Sequence, residues 1–209
     1  MTLRLVLASQ SPARLTLLRN AGFAPEAIVS GVDEDAFDAA DPAALALVLA
    51  QAKARTVAER IGHAAAAEPT LVIGCDSVLD LDGLAYGKPS DAQDAITRWK
   101  SMRGREGVLV TGHCLIDARG DAPHEVSEVA RTTVRFADLS DAEIEAYVGT
   151  GEPLNVAGAF TLDGIGGPFV DSIEGDPSTV IGLSLPLLRR LLARIGVAVS
   201  DLWADPSNG

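Results

Sequence analysis

The sequence predicts an α/β fold, and three observations carry that expectation. Short apolar runs of strand length, such as Leu3–Ala8 and Leu71–Gly74, alternate with longer segments whose apolar residues recur at helical spacing. The first of these strands runs straight into Ser9-Gln10-Ser11-Pro12, a helix-start signature. Two further runs, Val108–Ile116 and His124–Phe136, flank the turn-forming stretch Asp117–Gly120 and read as an antiparallel pair. With 209 residues and 47% hydrophobic composition the chain can bury one continuous core. No internal repeat, low-complexity run or long linker divides it. Residues 1–202 are therefore read as a single domain and residues 203–209 as a frayed tail.

Charge and composition narrow the function. A formal net charge of -12 repels a phosphate backbone and argues against nucleic acid as a partner. A phosphorylated small molecule remains compatible, because a few local cations and a divalent metal override the global field. Cys75 and Cys114 lie in apolar runs without metal spacing and read as small buried hydrophobes. No signal-peptide pattern opens the chain, and no apolar run approaches the roughly 20 residues that span a bilayer. The expectation is a soluble cytoplasmic protein with no membrane partner.

In chain order, Ser11 reads as the N-cap and Pro12 as the first residue of a helix that buries Leu15, Leu18 and Ala21 and stops at Gly22. Free N–H groups at that helix start, with Ser9, Ser11 and Arg14, form a candidate phosphate cradle. The alternative is a plain cap beside a solvated arginine. Ile28–Phe37 starts like a strand and reaches three consecutive acids, Asp33, Glu34 and Asp35, which either ligate Mg²⁺ or form a solvated turn. Asp41-Pro42 opens a long helix that ends before Gly62, with Leu45, Leu49, Ala52 and Thr56 on its apolar face. Lys53 lies beside that face and either snorkels or points into a cleft.

The central stretch is LVIGCDSVLDLDGLAYGKP, Leu71 to Pro89. Its buried strand places Asp76 at the strand's end, where α/β proteins keep their chemistry. Asp82-Gly83 reads as a hairpin turn, after which Pro89 holds Lys88 in an extended segment. One carboxylate and one ammonium thus bracket a short excursion suited to an anionic substrate carried with a metal ion. Ser90 with Gln93 then reads as a capping box, ahead of a helix that buries Ala92, Ala95, Ile96, Trp99 and Met102. His113 reads as a packed strand residue, and the three histidines form no triad or zinc pattern. Ser140 with Glu143 caps a further helix. The glycine-rich Gly151–Val170 leads to a last helix opened by Pro186.

Four segments in this order and spacing, LVLASQSPARLTLL, QAKARTV, GCDSVLDLDGLAYGKPSDAQDA and GEPLNVAGAFTLDGIGGPFV with GDPSTVIGLSL, resemble the Maf family of nucleoside triphosphate pyrophosphatases from Leu3 to about Leu192. The resemblance implies a mixed central sheet flanked by helices, with two lobes around a cleft. It also implies a divalent metal cofactor, Mg²⁺ or Mn²⁺, frequent homodimers, and hydrolysis of nucleoside triphosphates to the monophosphate and pyrophosphate in a house-cleaning role. Some members are linked to arrest of septum formation, so a non-catalytic nucleotide-binding regulator of division is the alternative.

Carried over by position, Ser9, Ser11 and Arg14 match the family's serine-arginine turn, Glu34 its acidic position and Lys53 its helix lysine. Asp76 matches its catalytic aspartate and Lys88 its lysine before proline. Glu34 and Asp76 are the implied metal ligands, and Asp76 the group that orients or deprotonates water. Three positions depart from the commoner pattern: Ala13 stands for a second arginine, Ser77 for threonine and Asp163 for the glutamine of the dTTP- and UTP-hydrolysing branch. Ala13, Asp163 and the GDPSTVIGL segment are closer to the branch acting on 7-methyl-GTP, with Asp163 as a substrate-binding candidate.

Overall fold

The computed structural model describes residues 3–62, 68–120 and 122–204. Its centre is a seven-stranded sheet of order β2-β1-β3-β5-β6-β7, with β4 paired to one half of β3. The strands are β1 (Arg4–Leu7), β2 (Glu26–Ala27), β3 (Thr70–Leu81), β4 (Leu84–Tyr86), β5 (Glu106–Asp117), β6 (His124–Phe136) and β7 (Val170–Glu174). β1 lies parallel to β2 and β3, and the remaining pairs are antiparallel. The sheet is therefore mixed, as the resemblance implies. The helices are α1 (Pro12–Asn20), α2 (Pro42–Ile61), α3 (Ala92–Met102), α4 (Asp141–Gly149), α5 (Pro177–Ile181) and α6 (Leu185–Arg194). Among the described residues no helix is long and apolar enough to cross a membrane.

Local signals set most boundaries. Ser11, Asp41 and Ser140 cap α1, α2 and α4, and the Ser140–Glu143 capping box forms in full. Asp82 and Gly83, at φ 56° and 81°, make the tight turn between β3 and β4. At α3 the expected box of Ser90 and Gln93 is replaced. Asp91 is the cap, its carboxylate accepting from the Asp94 N–H at 2.8 Å, and Ser90 lies one residue outside. A carboxylate outcompetes a hydroxyl for the helix's positive end. The strand expected from Ile28 lies earlier: β2 pairs only at Glu26 and Ala27, and the ladder closes with Ile28 N–H donating to Leu7 O at 3.0 Å.

Two apolar clusters share one face of the sheet. In the first, α1 and α6 pack on Leu71, Ile73 and Leu115; in the second, α3 and α4 pack on Leu79, Leu109 and Phe136 around the fully buried Trp99. Ser77 and Thr111, directly opposite each other on β3 and β5, form a polar belt between the two clusters.

The other face is covered by α2. Its buried stripe is Ala46, Leu49, Ala50, Lys53, Ala54 and Val57; of the expected face Leu49 is buried, whereas Leu45, Ala52 and Thr56 are not. The reason is a close approach. A Cβ on Gly74 would lie 2.4 Å from Ala50 O, and one on Gly112 would lie 2.3 Å from Ala46 O. With backbone against backbone, only alanine fits where the helix meets these glycines, and Leu45 is left half-buried.

Both cysteines are buried free thiols, and burial pushes Cys75 up to about 12, so neither is a ready nucleophile. Of the tail read as frayed, Trp203 bridges to Phe23 and Ala204 N–H donates to Gly22 O at 2.7 Å. The rest of that tail, residues 205–209, lies outside the described residues.

Candidate active site

The site begins with a gap in the sheet. β1 makes its last pairing with β3 at Leu7 and Ile73, and β4 makes its first at Tyr86 and Leu79. Between them Gly74 to Val78 keep β5 on one side and no strand on the other among the described residues. Asp76 is therefore in the middle of a twelve-residue strand, not at its end as the sequence suggested. The expectation of an open position still holds, because it is the neighbouring strand that ends. Ser9–Arg14 borders the gap on one side and Gly87-Lys88-Pro89 on the other.

On the first border Ser9, Ser11 and Arg14 interlock. Ser11 N–H donates to Ser9 Oγ at 3.1 Å, and Ser11 Oγ accepts from Arg14 N–H at 3.4 Å. The Arg14 guanidinium donates to Gly182 O at 2.7 Å, to Ser9 Oγ at 3.2 Å and to Ser77 Oγ at 3.0 Å. Ser77 Oγ lies 2.9 Å from Thr111 Oγ1, whose own hydroxyl donates to Thr179 O at 2.9 Å. The direction is then fixed: Arg14 donates to Ser77, Ser77 to Thr111, and Thr111 to the backbone. Arg14 forms no ion pair among the described residues. A half-buried, oriented cation held only by neutral acceptors is suited to an incoming anion.

On the α2 side, Lys53 Nζ lies 2.5 Å from Asp76 Oδ1 and 2.7 Å from Glu34 Oε1. Lys53 and Asp76 are each 9% exposed at the side chain, whereas Glu34 is half exposed at 52%. Lys53 thus points inward, and the close packing at Gly74 and Gly112 is what lets it reach the sheet. Burial raises the Asp76 carboxyl above its ordinary range; Lys53 and Arg14 oppose this, and the like charge of Glu34 adds to it. A carboxylate so raised is a better proton acceptor than a solvated one.

Lys88 and Asp163 are exposed and take part in no side-chain hydrogen bond or ion pair among the described residues. The loop carrying Asp163 is folded around one carboxylate. Glu152 accepts from Tyr147 Oη at 3.0 Å, Thr161 Oγ1 at 2.7 Å, Ile165 N–H at 2.9 Å and Gly166 N–H at 3.0 Å. Those donors hold its carboxyl below the usual range against desolvation, which acts the other way.

The structure thus joins Ser9, Ser11 and Arg14 into one group and Glu34, Lys53 and Asp76 into another. Sequence reasoning did not find Ser77, Thr111 and the Gly182 carbonyl as the supports of Arg14. The only signal for them was a polar pair inside apolar strands.

His113 is fully buried beside this belt. Its Nδ1 faces Thr111 O at 3.0 Å and its Nε2 accepts from Ser184 N–H at 2.8 Å, so the ring is neutral with the proton on Nδ1. Desolvation lowers its pKa from 6.5 to about 4. The unfolded chain then binds more protons than the folded one between those values, and stability falls as pH drops through that window, by up to about 3 kcal/mol. Denaturant unfolding from pH 7 to 4 should show that slope, and His113→Gln should flatten it. An unchanged slope in the variant would assign the effect to other groups.

A profile of the family described as Maf-like protein matches residues 4–195. The nucleoside triphosphate pyrophosphatase of Streptomyces coelicolor is 62% identical over 202 residues, covering 96% of this chain and 95% of that protein. That of Streptomyces avermitilis is 58% identical over 200 residues, covering 96% and 94%. Among solved structures, the Staphylococcus aureus Ham1 protein is similar at TM-score 0.35 and 14% identity, over 65% of this chain and 72% of that one.

Proposed function

The chain belongs to the Maf-like protein family, and from that premise we propose that the gap beside Asp76 is where it hydrolyses nucleoside triphosphates. It is a nucleoside triphosphate pyrophosphatase, the name carried by relatives 62% and 58% identical over nearly their full length. The observation that carries the placement of the site is the buried Asp76 on the stretch of β3 that is paired on one side only, with Lys53 on its carboxylate and the Arg14 turn on the adjacent Ser77.

In this reading water adds to the α-phosphorus, its proton passes to Asp76, and the bond to the outgoing pyrophosphate breaks. Three of the five guanidinium N–H groups of Arg14 go to protein acceptors, which leaves two for phosphate oxygens. Together with the N-terminal N–H groups of α1, Lys53 and Lys88, they offset the charge on the triphosphate and on leaving pyrophosphate. Glu34 and Asp76 already converge on one positive centre, Lys53 Nζ. Two such carboxylates fit Mg²⁺ or Mn²⁺, which takes one or two carboxylates plus substrate phosphates and water. When bound, the cation supplies further neutralisation of the phosphate charge.

For the base, Ala13 and Asp163 favour a 7-methyl-GTP-like substrate over dTTP or UTP, Asp163 being an acceptor suited to a cationic methylated guanine. The test is pyrophosphate release by the purified protein on 7-methyl-GTP, GTP, dTTP, UTP and CTP with Mg²⁺ or Mn²⁺. The expected result is preferential turnover of 7-methyl-GTP that stops when the metal is chelated and returns when it is restored. A pyrimidine preference overturns the assignment of the base. Turnover that survives chelation overturns the metal. If no nucleotide is cleaved, a role as a regulator of septum formation gains over the enzymatic one.

A further inference from the structure

Lys88 owes its position to an ion pair one helix away. Asp94 and Arg98 face each other across one turn of α3, with Arg98 Nε donating to Asp94 Oδ1 at 3.0 Å and Arg98 Nη2 lying 2.7 Å from Asp94 Oδ2. Each partner also holds the backbone of the Lys88 segment. Arg98 Nη1 donates to Gly87 O at 2.8 Å, and Asp94 Oδ2 accepts from Ser90 N–H at 2.9 Å. The peptide groups on either side of Lys88-Pro89 therefore end on the same ion pair. Two further contacts tighten the hold: Gly158 N–H donates to Gly87 O at 3.1 Å, and the guanidinium lies 5.3 Å from the centroid of the Tyr86 ring.

This geometry does more than cap α3, since Asp91 already caps it. Proline fixes the backbone after Lys88, and Pro89 is buried. With both flanking peptides tied down, only side-chain torsions of Lys88 remain free. β4 makes its last pairing with β3 at Tyr86 and Leu79, so Lys88 follows two residues after the point where β3 loses its partner on the side opposite the Arg14 turn. The clamp thus fixes the backbone of Lys88 on the border of the gap opposite Arg14.

We propose that Asp94 and Arg98 are positioning residues that set where the Lys88 ammonium meets the substrate's phosphates. The proposal rests on the reading that Lys88 contacts the triphosphate, and a double-mutant cycle separates the two. Lys88→Met should lower kcat/KM for the best nucleotide about 10²-fold, the scale of one charge-stabilising donor. Arg98→Gln should lower it about tenfold, equivalent to loss of one charged hydrogen bond. The double variant should be no worse than Lys88→Met alone, and Arg98→Lys should recover part of the loss. Thermal midpoints measured in parallel identify loss of fold.

Multiplicative losses in the double variant would overturn the proposal, because Arg98 would then act without Lys88. A normal Arg98→Gln beside an impaired Lys88→Met would remove the clamp and leave the reading of Lys88 intact. A normal Lys88→Met would remove both.

Discussion

Asp76→Asn is expected to lower pyrophosphate release by more than about 10²-fold while the protein stays folded. Asparagine keeps the shape of the side chain and removes the charge that accepts the proton. Lys53 keeps Glu34 as a partner at 2.7 Å, so the substitution does not strand a buried cation. The fold should tolerate it for a second reason. Burial opposes the charged form of Asp76, so removing that charge relieves a desolvation cost while giving up the pairing with Lys53.

The wild-type pH profile checks the same assignment. Asp76 works ionised and its carboxyl is raised, so kcat/KM should fall on acidification at a pH above the ordinary carboxylate range. Lys53 lowers that value, so in Lys53→Met the residual activity should be lost at a still higher pH. An active Asp76→Asn, or a limb that Lys53→Met leaves in place, would move the base elsewhere.

The parts of this site that were legible in the sequence are those where one residue type has one local use. Serine before proline at a helix start and Asp-Gly between apolar runs each specify a backbone conformation, and Ser11 and Asp82-Gly83 stand as expected. What was not legible depends on partners distant in the chain. Arg14 is oriented by Gly182, which lies 168 residues away, and by Ser77, 63 residues away. The openness around Asp76 arises because β1 stops opposite Ile73, a property of a different strand. The buried face of α2 was legible only at Leu49, for the same reason: its position is set by what lies beneath it, two glycines on β3 and β5.

Those glycines carry the last prediction. Gly112→Ala should destabilise the protein by about 1–3 kcal/mol and lower the activity of the folded molecules as well. The added Cβ would lie 2.3 Å from Ala46 O, 2.5 Å from Ala46 C and 2.7 Å from Leu47 Cα. All three are backbone atoms of a twenty-residue helix, so no side chain can rotate away and α2 itself has to lift. Gly112 is the direct partner of Asp76 across the β3–β5 ladder. A lift at that point draws Lys53 off the carboxylate that it holds at 2.5 Å, and a misplacement of about 1 Å in such a constellation is enough to cost roughly 10²-fold in rate. Gly149→Ala is the matched control, since a Cβ there meets nothing within 4 Å. Denaturant unfolding with kcat/KM measured well below the midpoint separates the two effects. If Gly112→Ala unfolds and turns over like the wild type, the contact of α2 on the sheet does not set the Lys53–Asp76 pair. If it loses stability but keeps its rate, the glycine serves packing alone. Loss of both, with Gly149→Ala unaffected, ties the chemistry of Asp76 to the space left by one absent methyl group.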